Sequence, residues 1–113
     1  MTTKFQIKAY VRRLAKEFNP ERVVLFGSYG RGKPTADSDV DLLVIMNHRK
    51  RKNIEQAIDI DIRLDHPFPM DLIVRKPAEM QRRMALGDMF LQNIMEEGKV
   101  LYGPDAQRVG RKG

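Results

Sequence analysis

Residues 22–46 read RVVLFGSYGRGKPTADSDVDLLVIM, and the fold turns on this stretch. Arg22-Val23-Val24-Leu25-Phe26 is a short, β-branched apolar run that reads as a buried strand, closed by a tight turn at Gly27-Ser28. Tyr29 to Ala36 carries three breakers, Gly30, Gly32 and Pro34, and reads as a loop or a short helical turn. Asp39 to Met46 is again almost continuously apolar and predicts a second buried strand.

Upstream, Ile7, Tyr10, Val11, Leu14 and Phe18 fall three or four apart, which predicts a helix from Lys4 to Phe18. Asn19-Pro20 stops it, because the residue before a proline avoids the helical region. Downstream, Asn47 to Lys52 is a polar turn. Ile54, Ala57, Ile58, Ile62 and Leu64 then predict a helix that ends before His66-Pro67. Met70 to Val74 is a third strand, and Pro77 suits the first position of a further helix. Met80, Met84, Leu91, Ile94 and Met95 keep helical spacing, with a break near Gly87-Asp88. Gly98 fits a helix end and Lys99 to Tyr102 a short edge strand. The order predicts one α/β (α+β) domain over residues 1–102, a small mixed β-sheet covered by helices. A basic tail, read as mobile, follows at 103–113.

The rest of the composition mostly excludes. A chain of 113 residues buries roughly 65% of its unfolded surface and needs no staple. It has no cysteine, so disulfides, thiolate metal sites and thiol catalysis are out. No apolar run approaches the ~20 residues of a membrane span, and the N-terminus lacks a signal peptide's apolar centre, so the expected setting is cytoplasmic. The formal charge is +6. Arg49-Lys50-Arg51-Lys52 supplies four of these charges and the tail two, so the remainder is neutral. Two short basic segments are not the basic face of a nucleic-acid binder, which argues against nucleic acid as the main partner.

The chemistry lies in the carboxylates. On a strand, Asp39 and Asp41 leave the same face with their roots about 6–7 Å apart. At that spacing they repel by ~2.5 kcal/mol at an effective dielectric of 20. Asp71 opens the third strand and joins them if that strand neighbours the second. An Asp by itself commonly caps a turn. Asp41, between Val40 and Leu42-Leu43-Val44-Ile45, is harder to explain so, since a solitary buried charge is costly. Hard oxygen ligands of this kind suit Mg²⁺ or Mn²⁺. A Gly-Ser turn is weak evidence taken alone, but Gly27 lets backbone approach a ligand, and free N–H groups with the Ser28 hydroxyl can cradle phosphate oxygens. Arg31 and Lys33 add positive charge. A phosphate-binding turn, a loop and then a D-x-D strand describe a nucleoside triphosphate site. Tyr29 either stacks on that nucleotide or is a loop aromatic; His48 and His66 lack metal-ligand spacing and read as solvated; the methionines read as core.

GSYGRGKPTADSDVDLLV resembles the G-S…[D/E]-x-[D/E] signature of the DNA polymerase β-like nucleotidyltransferase superfamily, with MDLIV at the place of its third acid. It is most similar to the minimal nucleotidyltransferases, small stand-alone prokaryotic domains, over Phe5 to Tyr102, and the ending EEGKVLYG also looks like theirs. The resemblance implies that Gly27, Ser28 and Arg31 bind the nucleotide. It further implies that Asp39, Asp41 and Asp71 are the catalytic, metal-binding acids for two Mg²⁺ ions, and that AMP moves from ATP to a hydroxyl. It implies a partner too, a HEPN-type ribonuclease toxin silenced on a tyrosine, with this chain as the antitoxin. Transfer to a small molecule or RNA end by a homo-oligomer, and steric blocking of the partner without catalysis, stand as alternatives.

Overall fold

The computed structural model describes residues 1–104 and 106. The tail expected to be mobile therefore falls mostly outside the described residues. Among the described residues, five helices and four strands follow one another as α1 (Lys4–Phe18), β1 (Arg22–Phe26), α2 (Gly27–Gly30), β2 (Val40–Ile45), α3 (Asn53–Arg63), β3 (Met70–Arg75), α4 (Pro77–Ala85), α5 (Met89–Glu97) and β4 (Lys99–Tyr102). The sheet order is β3-β2-β1-β4, with β2 and β3 parallel and both β1 pairings antiparallel. It is the mixed, helix-covered sheet expected.

Local signals account for the ends. The Thr3 hydroxyl accepts from the Gln6 N–H at 3.1 Å, and the Gln6 side-chain oxygen Oε1 accepts from the Thr3 N–H at 2.8 Å. This reciprocal capping box starts α1. Asn19, at φ 48°, ends α1 in the left-handed conformation with its N–H on Ala15. Pro77 sits in the first turn of α4, as its missing donor allows. Asp88 caps α5 by accepting from the Leu91 N–H at 3.1 Å, which explains the break after Ala85.

Two apolar layers sandwich the sheet. Ile7, Tyr10, Val11 and Leu14 of α1 and Ala57 and Ile60 of α3 pack with Val23, Leu25, Leu42 and Val44 on one face. Met80 of α4 and Leu91 and Ile94 of α5 pack with Val24, Leu43 and Ile45 on the other. Strand alternation therefore sends Phe26, Asp41 and Asp71 toward the α4–α5 face, at one end of the sheet.

The structure departs from expectation in several places. The short helical turn allowed after β1 is present, but it begins at Gly27 and ends at Gly30, two residues earlier than the Tyr29 start expected, and a loop follows. Strand β2 begins at Val40, so Asp39 precedes it by one residue. On α3 the core side is Gln56, Ala57 and Ile60, whereas Ile54, Ile58 and Ile62 are exposed. The helix is apolar on two sides, and the sheet takes only one. Met89 is likewise exposed rather than core. Tyr29 is buried, its hydroxyl accepting from the Thr2 N–H at 3.0 Å, so it is a core aromatic not free to stack on a ligand. Neither histidine is simply solvated. His48 pairs with Asn53 at 2.8 Å, and His66 is held between Asp61 and the Phe68 carbonyl.

Candidate active site

Three elements meet at the site: the end of β1 running into α2, and the first residues of β2 and β3. The antiparallel register sets Phe26 opposite Asp41, and the parallel register sets Asp41 opposite Asp71. Asp41 is thus flanked on both sides, by the Gly27 turn and by a second carboxylate. Gly27 has φ +69°, and a Cβ built on it would collide with Asp41 Oδ2. Glycine is needed there twice over, for the backbone angle and for the carboxylate.

The electrostatics follow. Burial raises the Asp41 pKa above the usual carboxylate range; the charges of Asp71 and Asp39 push it further, and the Arg31 guanidinium pulls against them. Two carboxylates on adjacent strands, ~5–6 Å apart, repel by roughly 3 kcal/mol at an effective dielectric of 20. Asp39 and Asp71 are exposed and Asp41 half-buried. Among the described residues, no three His, Asp or Glu side chains stand close enough together to form a ready metal cage. Asp41 faces Asp71 across the strand pair, and Asp39, one residue before β2, stands near enough for its charge to act on Asp41 as well. The donor set, hard oxygens beside a glycine that leaves the pair open, nonetheless fits a divalent cation sharing phosphate oxygens.

Ser28 lies in the first turn of α2, where N–H groups lack helical acceptors, and Arg31 caps that turn with its own N–H on the Gly27 carbonyl at 3.0 Å. Lys33 is exposed in the loop beyond.

Sequence reasoning missed the rim. The Phe26 ring meets the ring of the exposed Phe90 edge-on at 6.1 Å. An apolar lip thus borders the acids on the α5 side. Nothing local announces it, because Phe26 and Phe90 come together only when α5 docks on the sheet.

The family model for the nucleotidyltransferase domain matches residues 6–101. The chain belongs to this family. The nucleotidyltransferase domain thereby covers all four strands but for the last residue of β4, and the chain is an enzyme of nucleotidyl transfer, as its resemblance to the minimal nucleotidyltransferases implied. Two relatives come from Methanocaldococcus jannaschii. "Putative protein adenylyltransferase MJ0604" is 29% identical over 98 residues, 85% of this chain and 94% of that one. "Putative protein adenylyltransferase MJ1379" is 28% identical over 82 residues, 67% of this chain and 82% of that one. A bifunctional uridylyltransferase/uridylyl-removing enzyme of Methylococcus capsulatus is 30% identical over 88% of this nucleotidyltransferase, which spans 11% of the larger enzyme. A solved structure titled "putative nucleotidyltransferase", from Sulfolobus solfataricus, superimposes with a TM-score of 0.63 over 95% of this chain and 86% of its own, at 22% identity. That likeness shows the fold.

Proposed function

We propose that this nucleotidyltransferase moves AMP from ATP to a protein hydroxyl, and that its acceptor is a tyrosine of a HEPN-type ribonuclease toxin, for which the chain serves as antitoxin. The observation that carries the reading is the register that seats Asp41 between Gly27 and Asp71. The names of the two archaeal relatives support a protein acceptor, and so does the apolar lip at Phe26 and Phe90, which suits a protein surface better than a small polar substrate.

On this reading Gly27, Ser28 and Arg31 hold the triphosphate. Asp39, Asp41 and Asp71 would hold Mg²⁺ or Mn²⁺, which stabilises charge on the attacking and leaving oxygens. Asp71, exposed at the start of β3, takes the proton of the acceptor hydroxyl. The hydroxyl oxygen bonds to the α-phosphorus, the bond from that phosphorus to the bridging oxygen breaks, and pyrophosphate leaves. A cytoplasmic setting supplies ATP and Mg²⁺. No helix among the described residues is long and apolar enough to cross a membrane.

Intact-mass spectrometry of the protein with ATP, Mg²⁺ and the toxin partner tests the reading. The expected result is an adenylyl increment on the partner that disappears with Asp41→Asn. An increment on RNA or a small molecule in the partner's absence would overturn the protein acceptor. A stable complex without any increment would replace transfer by steric neutralisation. Supplying UTP in parallel decides the base preference.

A further inference from the structure

Helix α3 covers the sheet face opposite the acids with Ala57 and Ile60, which leaves its other side unexplained. Ile54, Ile58 and Ile62 recur every four residues along about 12 Å of that side, with 60%, 51% and 73% of their surface exposed. Isolated surface isoleucines are ordinary; three in register on one stripe are not.

The charges along α3 supply the second observation. Arg49, Lys50, Arg51 and Lys52 precede its first turn, and Asp59, Asp61 and Asp65 gather at its far end. Glu55 and Arg63 occupy the places the helix dipole favours, and Arg63 and His66 pair with Asp59 and Asp61, but four cations still crowd the positive end and the Asp65 carboxylate stands beyond the negative end. The arrangement costs an isolated helix stability. It is relieved when a second helix lies antiparallel, because each basic end then meets an acidic end and the two dipoles oppose. The backbone N–H groups of Arg51 and Lys52 cap α3 on Glu55, which leaves the four cationic side chains of Arg49–Lys52 to be accounted for.

We propose that the outward face of α3 is a homodimer interface, in which two copies pack α3 against α3 antiparallel about Ile58. Residue 54 then faces residue 62 of the second copy, and Arg51 faces Asp65. The ion pairs are exposed, so salt weakens them. A single helix pair buries less than the roughly 1,200 Å² of a stable interface, so association is weak and is sought from about 10 µM to 1 mM protein. Both active sites stay open, since the acids lie on the opposite sheet face.

Sedimentation equilibrium on the full chain at low and high salt tests this. The expected result is a monomer–dimer equilibrium that Ile58→Asp shifts at least tenfold toward monomer without lowering the melting temperature or the transfer rate. Arg51→Glu and Asp65→Lys, each alone, weaken the dimer, and the two combined in one chain restore it. A monomer throughout the range, or a dimer indifferent to Ile58→Asp, would overturn the proposal. Failure of the charge exchange to restore association would overturn the antiparallel register.

Discussion

Asp41 Oδ2 occupies the space in which residue 27 would otherwise carry its Cβ, so the turn and the carboxylate are built as one unit. Gly27→Ala therefore meets two obstacles, a left-handed backbone and a collision. It is expected to cost about 1–3 kcal/mol in urea unfolding and to reduce transfer sharply. Gly32→Ala is the matched control: φ is +75° but its Cβ would meet nothing within 4 Å. Only the backbone cost remains there, and activity is retained. Equal losses for both variants would remove Asp41 from the explanation.

Asp41→Asn takes away one of two facing carboxylates. Because burial and its acidic neighbours already disfavour the charged form, the variant is expected to melt at or above the parent's temperature while transfer falls to background. Mg²⁺ with ATP at about 100 times its Kd should stabilise the parent by ~2.7 kcal/mol through linkage and leave Asp41→Asn unmoved. An unfolded Asp41→Asn variant would show the residue to be structural instead.

The lip beside the acids predicts a separation of binding from chemistry. Phe90 is 52% exposed yet touches Phe26. Phe90→Ser should raise KM for a protein acceptor several-fold, with kcat for adenylyl transfer and the melting temperature little changed. A fall in kcat with KM constant would place Phe90 in catalysis rather than docking.

His66 predicts a pH dependence of stability. Its Nε2 lies 2.6 Å from Asp61 and its Nδ1 2.7 Å from the Phe68 carbonyl oxygen. Both neighbours accept, so both ring nitrogens donate, and that is the charged imidazole. Burial acts to lower its pKa, but these hydrogen bonds and the charges of Asp61 and Asp65 outweigh it and raise the pKa above 6.5. The folded state then binds the proton more tightly than the unfolded chain. The stabilisation is complete below pH 6.5 and is lost as pH rises through the higher folded value. Denaturant midpoints across pH 5.5–8.5 should show this loss in the parent, and a flatter profile in His66→Gln.

Much of this was readable in the chain. Strand β1 and helix α1 fall at the residues their apolar spacing marks, and the breaks at Asn19-Pro20 and Gly87-Asp88 come where local backbone preference puts them. Asp41 stood out because a charge inside Val40–Ile45 has no comfortable neutral explanation. Tyr29 could not be placed, since its burial depends on α1 crossing the α2 turn, where Thr2 meets its hydroxyl. His66 looked idle because its partner Asp61 belongs to the preceding helix and becomes a partner only when the chain leaves α3 at Leu64 and folds back beside it.

Elements, their order and the D-x-D pattern thus follow from short-range physics: spacing, β-branching, caps and prolines act within a few residues. Two matters lay beyond that range. The pairing of Asp41 with Asp71 required α3 to carry the chain back so that β3 runs parallel to β2. The outward turn of Ile54, Ile58 and Ile62 required a choice between two apolar sides of one helix. The sheet made that choice by burying Ala57 and Ile60, because it offers α3 room for a single face.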